Sequence, residues 1–160
     1  MKNKKLLHII IATGFGSGYF PKAPGTAGAV LATIIWFGLS LALSSYYLLI
    51  TTAFLIVIFT FLGVWSSGII EKEWGKDPSK VVVDEMVGVW IPLLVVNNDK
   101  EHYIYYALTA LLLFRLFDIF KPLGIRKLDN LEGGWGIMLD DILAGIYTLI
   151  ILYGLIWIIG

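Results

Sequence analysis

Residues 23–70 read APGTAGAVLATIIWFGLSLALSSYYLLITTAFLIVIFTFLGVWSSGII, a stretch of 48 residues from Ala23 to Ile70 without one charged side chain. A helix crossing the hydrocarbon of a bilayer needs about 20 apolar residues, so this run holds two crossings. The polar pair Ser44-Ser45 is the natural break, which predicts spans over roughly 27–43 and 47–70. The competing reading is a buried hairpin in a soluble core. The rest of the chain supplies too few polar elements to cover one: 58% of its 160 residues are hydrophobic and 15% charged, far from a soluble average. Residues 1–160 therefore read as a single membrane-embedded domain.

Charge and composition narrow the function. The 12 basic and 12 acidic residues balance, so no net field argues for nucleic acid as a partner. Cysteine is absent, which removes disulfides, thiolate metal sites and Cys nucleophiles together.

Working outward from the long run, Met1 to Leu7 carries three lysines and resembles a signal-peptide n-region. The apolar stretch after it is short, contains His8 and leads into glycine-rich sequence without a small-x-small cleavage site, so a basic amphipathic segment at the membrane surface is expected. On the other side, Glu71 to Lys80 reads as a solvated loop. Val81 to Val96 is apolar apart from Asp84 and Glu85 and bends near Pro92. Its uncharged part, Met86 to Val96, is short for a crossing, which predicts a short, thinned or re-entrant element. A polar turn at 97–102 and a helix over Tyr103 to Phe120 follow, then a loop over Lys121 to Leu139 and a last crossing over Ile142 to Ile159. The expected fold class is all-α: a polytopic membrane helix bundle with about five membrane-embedded segments, one of them short or re-entrant. If 81–96 crosses, every Lys and Arg except Lys100 falls on the cytoplasmic side, as the positive-inside rule favours.

That topology gathers four polar islands on one membrane face: 14–26, Asp84-Glu85, 115–127 and Asp140-Asp141. Ionisable residues at membrane depth are costly and mark function or a specific ion pair. Two adjacent acidic pairs repel unless a cation joins them, and oxygen-only ligands suit Mg²⁺ or Mn²⁺. Either pair alone could simply cap a helix N-terminus; two pairs plus Asp118 on one face favour a metal. Arg115, Asp118 and Lys121 share one side of a helix, either as an ion-pair ladder or as a phosphate clamp with Asp118 beside it. Gly14-Phe15-Gly16-Ser17-Gly18 and Pro24-Gly25-Thr26 precede the first long helix, where free amides and a helix N-terminus suit an anion, although a tight loop would look the same. No Walker A lysine follows. His8 and His102 are the only histidines and fall on opposite sides, which disfavours a His phosphoenzyme or a His metal site. What remains is metal–carboxylate chemistry on a phosphoryl or similar group.

These blocks also carry a resemblance. Gly14-Phe15-Gly16-Ser17-Gly18 with Pro24-Gly25-Thr26-x-Gly28, then Asp84-Glu85-x-x-Gly88, Arg115-x-Phe117-Asp118-x-x-Lys121-Pro122 and Gly136-x-x-x-Asp140-Asp141-x-x-Ala144-Gly145 resemble, in that order and spacing, the bacterial phosphatidylglycerophosphatase A family. One departure is Gly124 before Ile125, where a proline is expected. The resemblance implies hydrolysis of phosphatidylglycerol phosphate to phosphatidylglycerol and phosphate, Mg²⁺ as cofactor, and an active site on the cytoplasmic face of the inner membrane. It implies Asp84, Glu85, Asp118, Asp140 and Asp141 as metal ligands, with Asp84, Glu85, Asp118 and Asp141 catalytic. Arg115, Lys121, Gly16, Ser17, Gly25 and Thr26 would bind the phospholipid's phosphate. The main alternative is an ion- or proton-coupled transporter using the same carboxylates, which predicts acids near the midplane on broken helices. An alcohol phosphotransferase is disfavoured because its Asp-Gly-x-x-Ala-Arg ladder is missing, and a purely structural role because four charged islands share one face.

Overall fold

The break expected at Ser44-Ser45 is where two long helices part. The computed structural model describes residues 2–95, 100–128 and 131–159, with only the backbone described for 2–4 and 159. Its helices are α1 (Lys2–Ala12), α2 (Pro24–Ala42), α3 (Ser45–Trp74), α4 (Val83–Trp90), α5 (Tyr103–Phe120), the single turn α6 (Ile125–Leu128) and α7 (Gly133–Ile159). α2 starts ahead of the expected span because Pro24 occupies its first turn, where a fixed φ and a missing N–H cost nothing. Part of the polar turn expected at 97–102 lies outside the described residues.

Four of the described helices are long and apolar enough to cross a bilayer: Pro24–Ala42, Ser45–Trp74, Lys100–Phe120 and Gly133–Ile158. α3, at 30 residues, reaches about 45 Å and carries Glu71, Lys72 and Glu73 beyond the hydrocarbon. The outward faces of these helices are apolar, with Phe54, Phe61, Leu112, Ile119, Ile150 and Trp157 all exposed. Such a surface suits lipid rather than water.

The fifth element, expected over 81–96, is short, as its composition suggested. α4 has only 8 residues and continues into a 3₁₀ turn over Pro92–Val95. It packs against α2, α3 and α7, and Met86, Val87, Val89 and Trp90 are wholly buried. The chain emerges at the opposite end of the bundle, where Lys100 Nζ donates to Leu43 O at 2.9 Å and Tyr103 Oη to Ser45 Oγ at 2.9 Å. Irregular backbone at this depth is tolerable because protein, not lipid, surrounds it.

Small residues set how closely these helices pack. Ala29, Ala32, Ala107, Ala110 and Ala144 line a core filled by Trp36, Trp90 and Phe114. α4 crosses α7 at Gly88 and Gly145: a Cβ on Gly145 would lie 2.5 Å from Gly88 O, and one on Gly88 would lie 3.0 Å from Asp141 O. This close crossing brings the first turn of α4 beside the acidic part of α7. The two buried indoles are satisfied, Trp36 Nε1 by Thr52 Oγ1 at 3.0 Å and Trp90 Nε1 by Ala32 O at 2.9 Å.

Three expectations change. α3 runs on to Trp74, so 71–74 is helix rather than loop. α7 begins at Gly133, so 121–139 is not one loop. The Gly133 amide donates to Glu71 Oε2 of α3 at 2.8 Å, which caps the helix early and places Asp140 and Asp141 about two turns inside it. The basic N-terminal segment is helical but is also docked: His8 is buried, with Nδ1 3.3 Å from Ser66 Oγ and its ring edge-on to Trp65 at 4.5 Å. Lys5 pairs with Glu73 at 2.6 Å. Leu6, Leu7 and Ile10 remain on its exposed face.

Candidate active site

At the end of the bundle shared by the start of α2, the start of α4, the end of α5 and the acidic turns of α7 lies a cavity of about 220 Å³. Its wall combines Asp84 and Glu85 from α4, Arg115 and Asp118 from α5, Lys121 just after α5, and Asp140 and Asp141 from α7. Ala23, Pro24 and Gly25 close one side, and Asp77, Ser79 and Val81 another. Three segments remote in sequence thus deliver the charged residues singled out above to one place, and the start of α2 closes the wall beside them.

Ion pairs made by Arg115 and Lys121 organise it. Arg115 Nη1 lies 2.5 Å from Asp118 Oδ2 and 3.8 Å from Glu85 Oε1, so it bridges α4 and α5. Lys121 does not continue the helical ladder. Its backbone turns left-handed, with φ 46°, and its ammonium meets Asp140 Oδ2 at 2.7 Å. Both basic groups sit against carboxylates, yet six carboxylates face only two basic side chains around this wall.

The acids form two overlapping groups. Asp84, Glu85 and Asp141 offer oxygens within 4.8 Å of one another, and so do Asp118, Asp140 and Asp141; Asp141 belongs to both. Asp84 and Asp141 are buried, Asp141 to 2% exposure, and Asp84 Oδ1, Glu85 Oε2 and Asp141 Oδ1 have no hydrogen-bond partner. Buried carboxylate oxygens left bare and crowded are unfavourable, and a hard cation is the group that would satisfy them. The donor set fits one. For Asp140-Asp141 the helix-capping reading no longer applies, because they lie inside α7.

Gly25 brings the α2 backbone against the charged wall. A Cβ there would overlap Glu85 Oε1 and lie 3.2 Å from Arg115 Nη1. Gly25 and Thr26 belong to the first turn of α2, whose amides have no intrahelical acceptor, so this helix N-terminus is presented beside Arg115. Thr26 itself does not line the cavity.

The glycine-rich loop behaves differently from the phosphate cradle proposed from sequence. The amides of Gly14, Phe15, Gly16, Ser17 and Gly18 donate to the carbonyls of Ile11, Ile10, Thr13, Gly14 and Thr13, and Ser17 Oγ donates to Gly14 O at 2.9 Å. With these donors spent on the loop itself, Gly16 and Ser17 offer an anion nothing, and neither lines the cavity. Conversely, Asp77 and Ser79 line it although the sequence placed them in a solvated loop. Their nearness to Asp84 was the signal available.

A polar, acid-rich cavity with two organised cations and a helix N-terminus, at one end of a lipid-facing bundle, defines a membrane-embedded enzyme that handles anionic groups. The phosphatidylglycerophosphatase A family model matches residues 10–156. The Phosphatidylglycerophosphatase A of Haemophilus influenzae is 39% identical over 148 residues, 91% of this chain and 86% of that one. Its Escherichia coli namesake is 35% identical over 147 residues, 90% and 80% of the two chains. A Bacteroides thetaiotaomicron protein named "Putative phosphatidylinositol-3-phosphatase" is 55% identical over 160 residues, the full length of both. No solved structure matches the chain. The chain belongs to the phosphatidylglycerophosphatase A family, and it is a phosphatase rather than a transporter.

Proposed function

We propose that this protein removes the terminal phosphate of phosphatidylglycerol phosphate, releasing phosphatidylglycerol and inorganic phosphate at the cytoplasmic face of the bacterial inner membrane. The observation that carries the reading is the convergence, in a family member, of bare buried carboxylate oxygens with Arg115, Lys121 and the α2 N-terminus. Among residues with described side chains, every Lys and Arg except Lys100 belongs to segments at the cavity end of the chain's path, which favours that end as cytoplasmic.

Mg²⁺ is the cofactor this donor set suits, with Mn²⁺ a substitute; Asp84, Glu85 and Asp141 would hold one ion, and Asp118, Asp140 and Asp141 would form a second ligand group. Such an ion supplies charge neutralisation at phosphoryl oxygens and acidifies a water. Arg115 and Lys121 bind the phosphate oxygens, exchanging part of their contact with Asp118 and Asp140 for the substrate. The first-turn amides of α2 add donors to a phosphate oxygen. Gly25 keeps the space beside Glu85 and Arg115 open. The lipid tails stay among the exposed apolar helix faces, so only the headgroup enters.

The Bacteroides relative motivates a second reading, phosphatidylinositol 3-phosphate. Both lipids present a phosphomonoester on a polyol that is itself joined to the lipid by a phosphodiester. The test is phosphate release from each lipid in mixed micelles, with Mg²⁺ and with excess chelator. Mg²⁺-dependent release from phosphatidylglycerol phosphate, faster than from the inositide, is expected. Preference for the inositide would move the assignment to the second reading, and equal release under chelator would remove the metal.

A further inference from the structure

A second cavity, about 390 Å³ in volume, adjoins the first and is lined by Trp74, Pro78, Ser79 and Lys80; Ser79 lines both. Lys80 is exposed, and its ammonium lies 5.2 Å from the centroid of the Tyr19 ring and 6.0 Å from that of Trp74. Two aromatic faces from separate segments therefore hold one cation in place. Its backbone is fixed as well, because Gly18 packs so tightly on the Lys80 carbonyl that any Cβ there would overlap it. The glycine-rich loop thereby closes on Lys80 and brings Tyr19 beside it. Among the described residues no carboxylate pairs with Lys80, whereas Arg115 and Lys121 are both matched by acids. The flanking Phe15, Tyr19 and Phe20 are more than half exposed, and aromatic side chains of this kind favour the headgroup level of a bilayer.

We infer that Lys80, clamped by Tyr19 and Trp74, is the binding site for the substrate's second phosphate, the phosphodiester that joins the headgroup to the lipid. The inference rests on the lipid-phosphatase reading and extends it to headgroup selection. A lipid carrying both phosphates spans the two cavities across Ser79, with the monoester among the carboxylates and the diester at Lys80. A lipid with only a monoester leaves Lys80 unused.

Short-chain phosphatidylglycerol, which has the diester and no monoester, isolates this site from catalysis. Its binding to the detergent-solubilised full chain is measured by calorimetry for wild type, Lys80→Gln and Lys80→Arg, with inorganic phosphate as the parallel probe. Lys80→Gln is expected to weaken phosphatidylglycerol binding about fivefold, equivalent to about 1 kcal/mol, and to leave phosphate binding unchanged; Lys80→Arg restores the lipid affinity. In turnover, Lys80→Gln raises KM for phosphatidylglycerol phosphate with kcat intact. Unchanged phosphatidylglycerol affinity in Lys80→Gln, or an equal loss for both probes, overturns the inference. Absence of phosphate release by wild type refutes the substrate assignment instead, and the binding result still decides Lys80.

Discussion

Gly25→Ala adds a single methyl group, and the geometry of the site sets its consequence. The new Cβ would overlap Glu85 Oε1 and sit 3.2 Å from Arg115 Nη1, so the Glu85 carboxylate must retreat by on the order of 1 Å to reach ordinary contact. The carboxylate can move by turning about its side-chain bonds, but doing so draws Glu85 away from Arg115, now 3.8 Å distant. A misplacement of about 1 Å in a catalytic constellation costs about 10²-fold, so kcat/KM for phosphatidylglycerol phosphate should fall at least that far. Stability should not fall with it: position 25 is helical, and alanine is favoured over glycine there by up to about 1 kcal/mol. Gly38→Ala on the same helix is the control, since a Cβ there meets nothing within 4 Å. Phosphate release and thermal unfolding, measured in one detergent, separate the two effects. Gly25→Ala turning over at the rate of Gly38→Ala would refute the claim that this glycine keeps the site open.

Other substitutions probe separate parts of the molecule. Asp141→Asn touches both carboxylate groups and should cost more turnover than the roughly 10–100-fold typical of losing an outer partner. It should also weaken Mn²⁺ binding measured by electron paramagnetic resonance, while unfolding temperature holds or rises as one crowded buried charge is removed; unaltered metal binding would contradict the assignment. Arg115→Lys keeps the charge but loses the planar guanidinium whose Nη1 lies against both Glu85 and Asp118, and a drop of at least about tenfold in kcat/KM is expected. Trp90→Phe removes the bond to Ala32 O and should lower stability by about 1 kcal/mol with turnover retained, as read by thermal unfolding beside phosphate release.

Much of the fold is legible because the bilayer simplifies the code. A charge-free run longer than one crossing has to turn, and Ser44-Ser45 is where polar side chains allow it. The helix over Tyr103 to Phe120 has the limits its apolar run suggests. The start of α7 is not legible, because it depends on Glu71 of α3 offering a carboxylate to the Gly133 amide, a contact between residues distant in sequence. The docking of α1 through His8 and Ser66 is hidden for the same reason: a lone histidine in a short apolar run gives no sign of its partner.

The site shows the same division. Asp84, Glu85, Asp118, Asp140 and Asp141 stand out in sequence because each is expensive where hydropathy places it, and expense at membrane depth is a physical signal that needs no partner to be seen. Glycines carry no such cost, so their role depends on what lies across from them. Gly25 faces Glu85 and Arg115 and belongs to the active cavity. Gly14 to Gly18 spend their amides internally, and Gly18 faces the backbone of Lys80. Two glycine blocks that look alike as anion loops thus differ in what they face, one the carboxylate and guanidinium of the cavity wall and the other the Lys80 backbone.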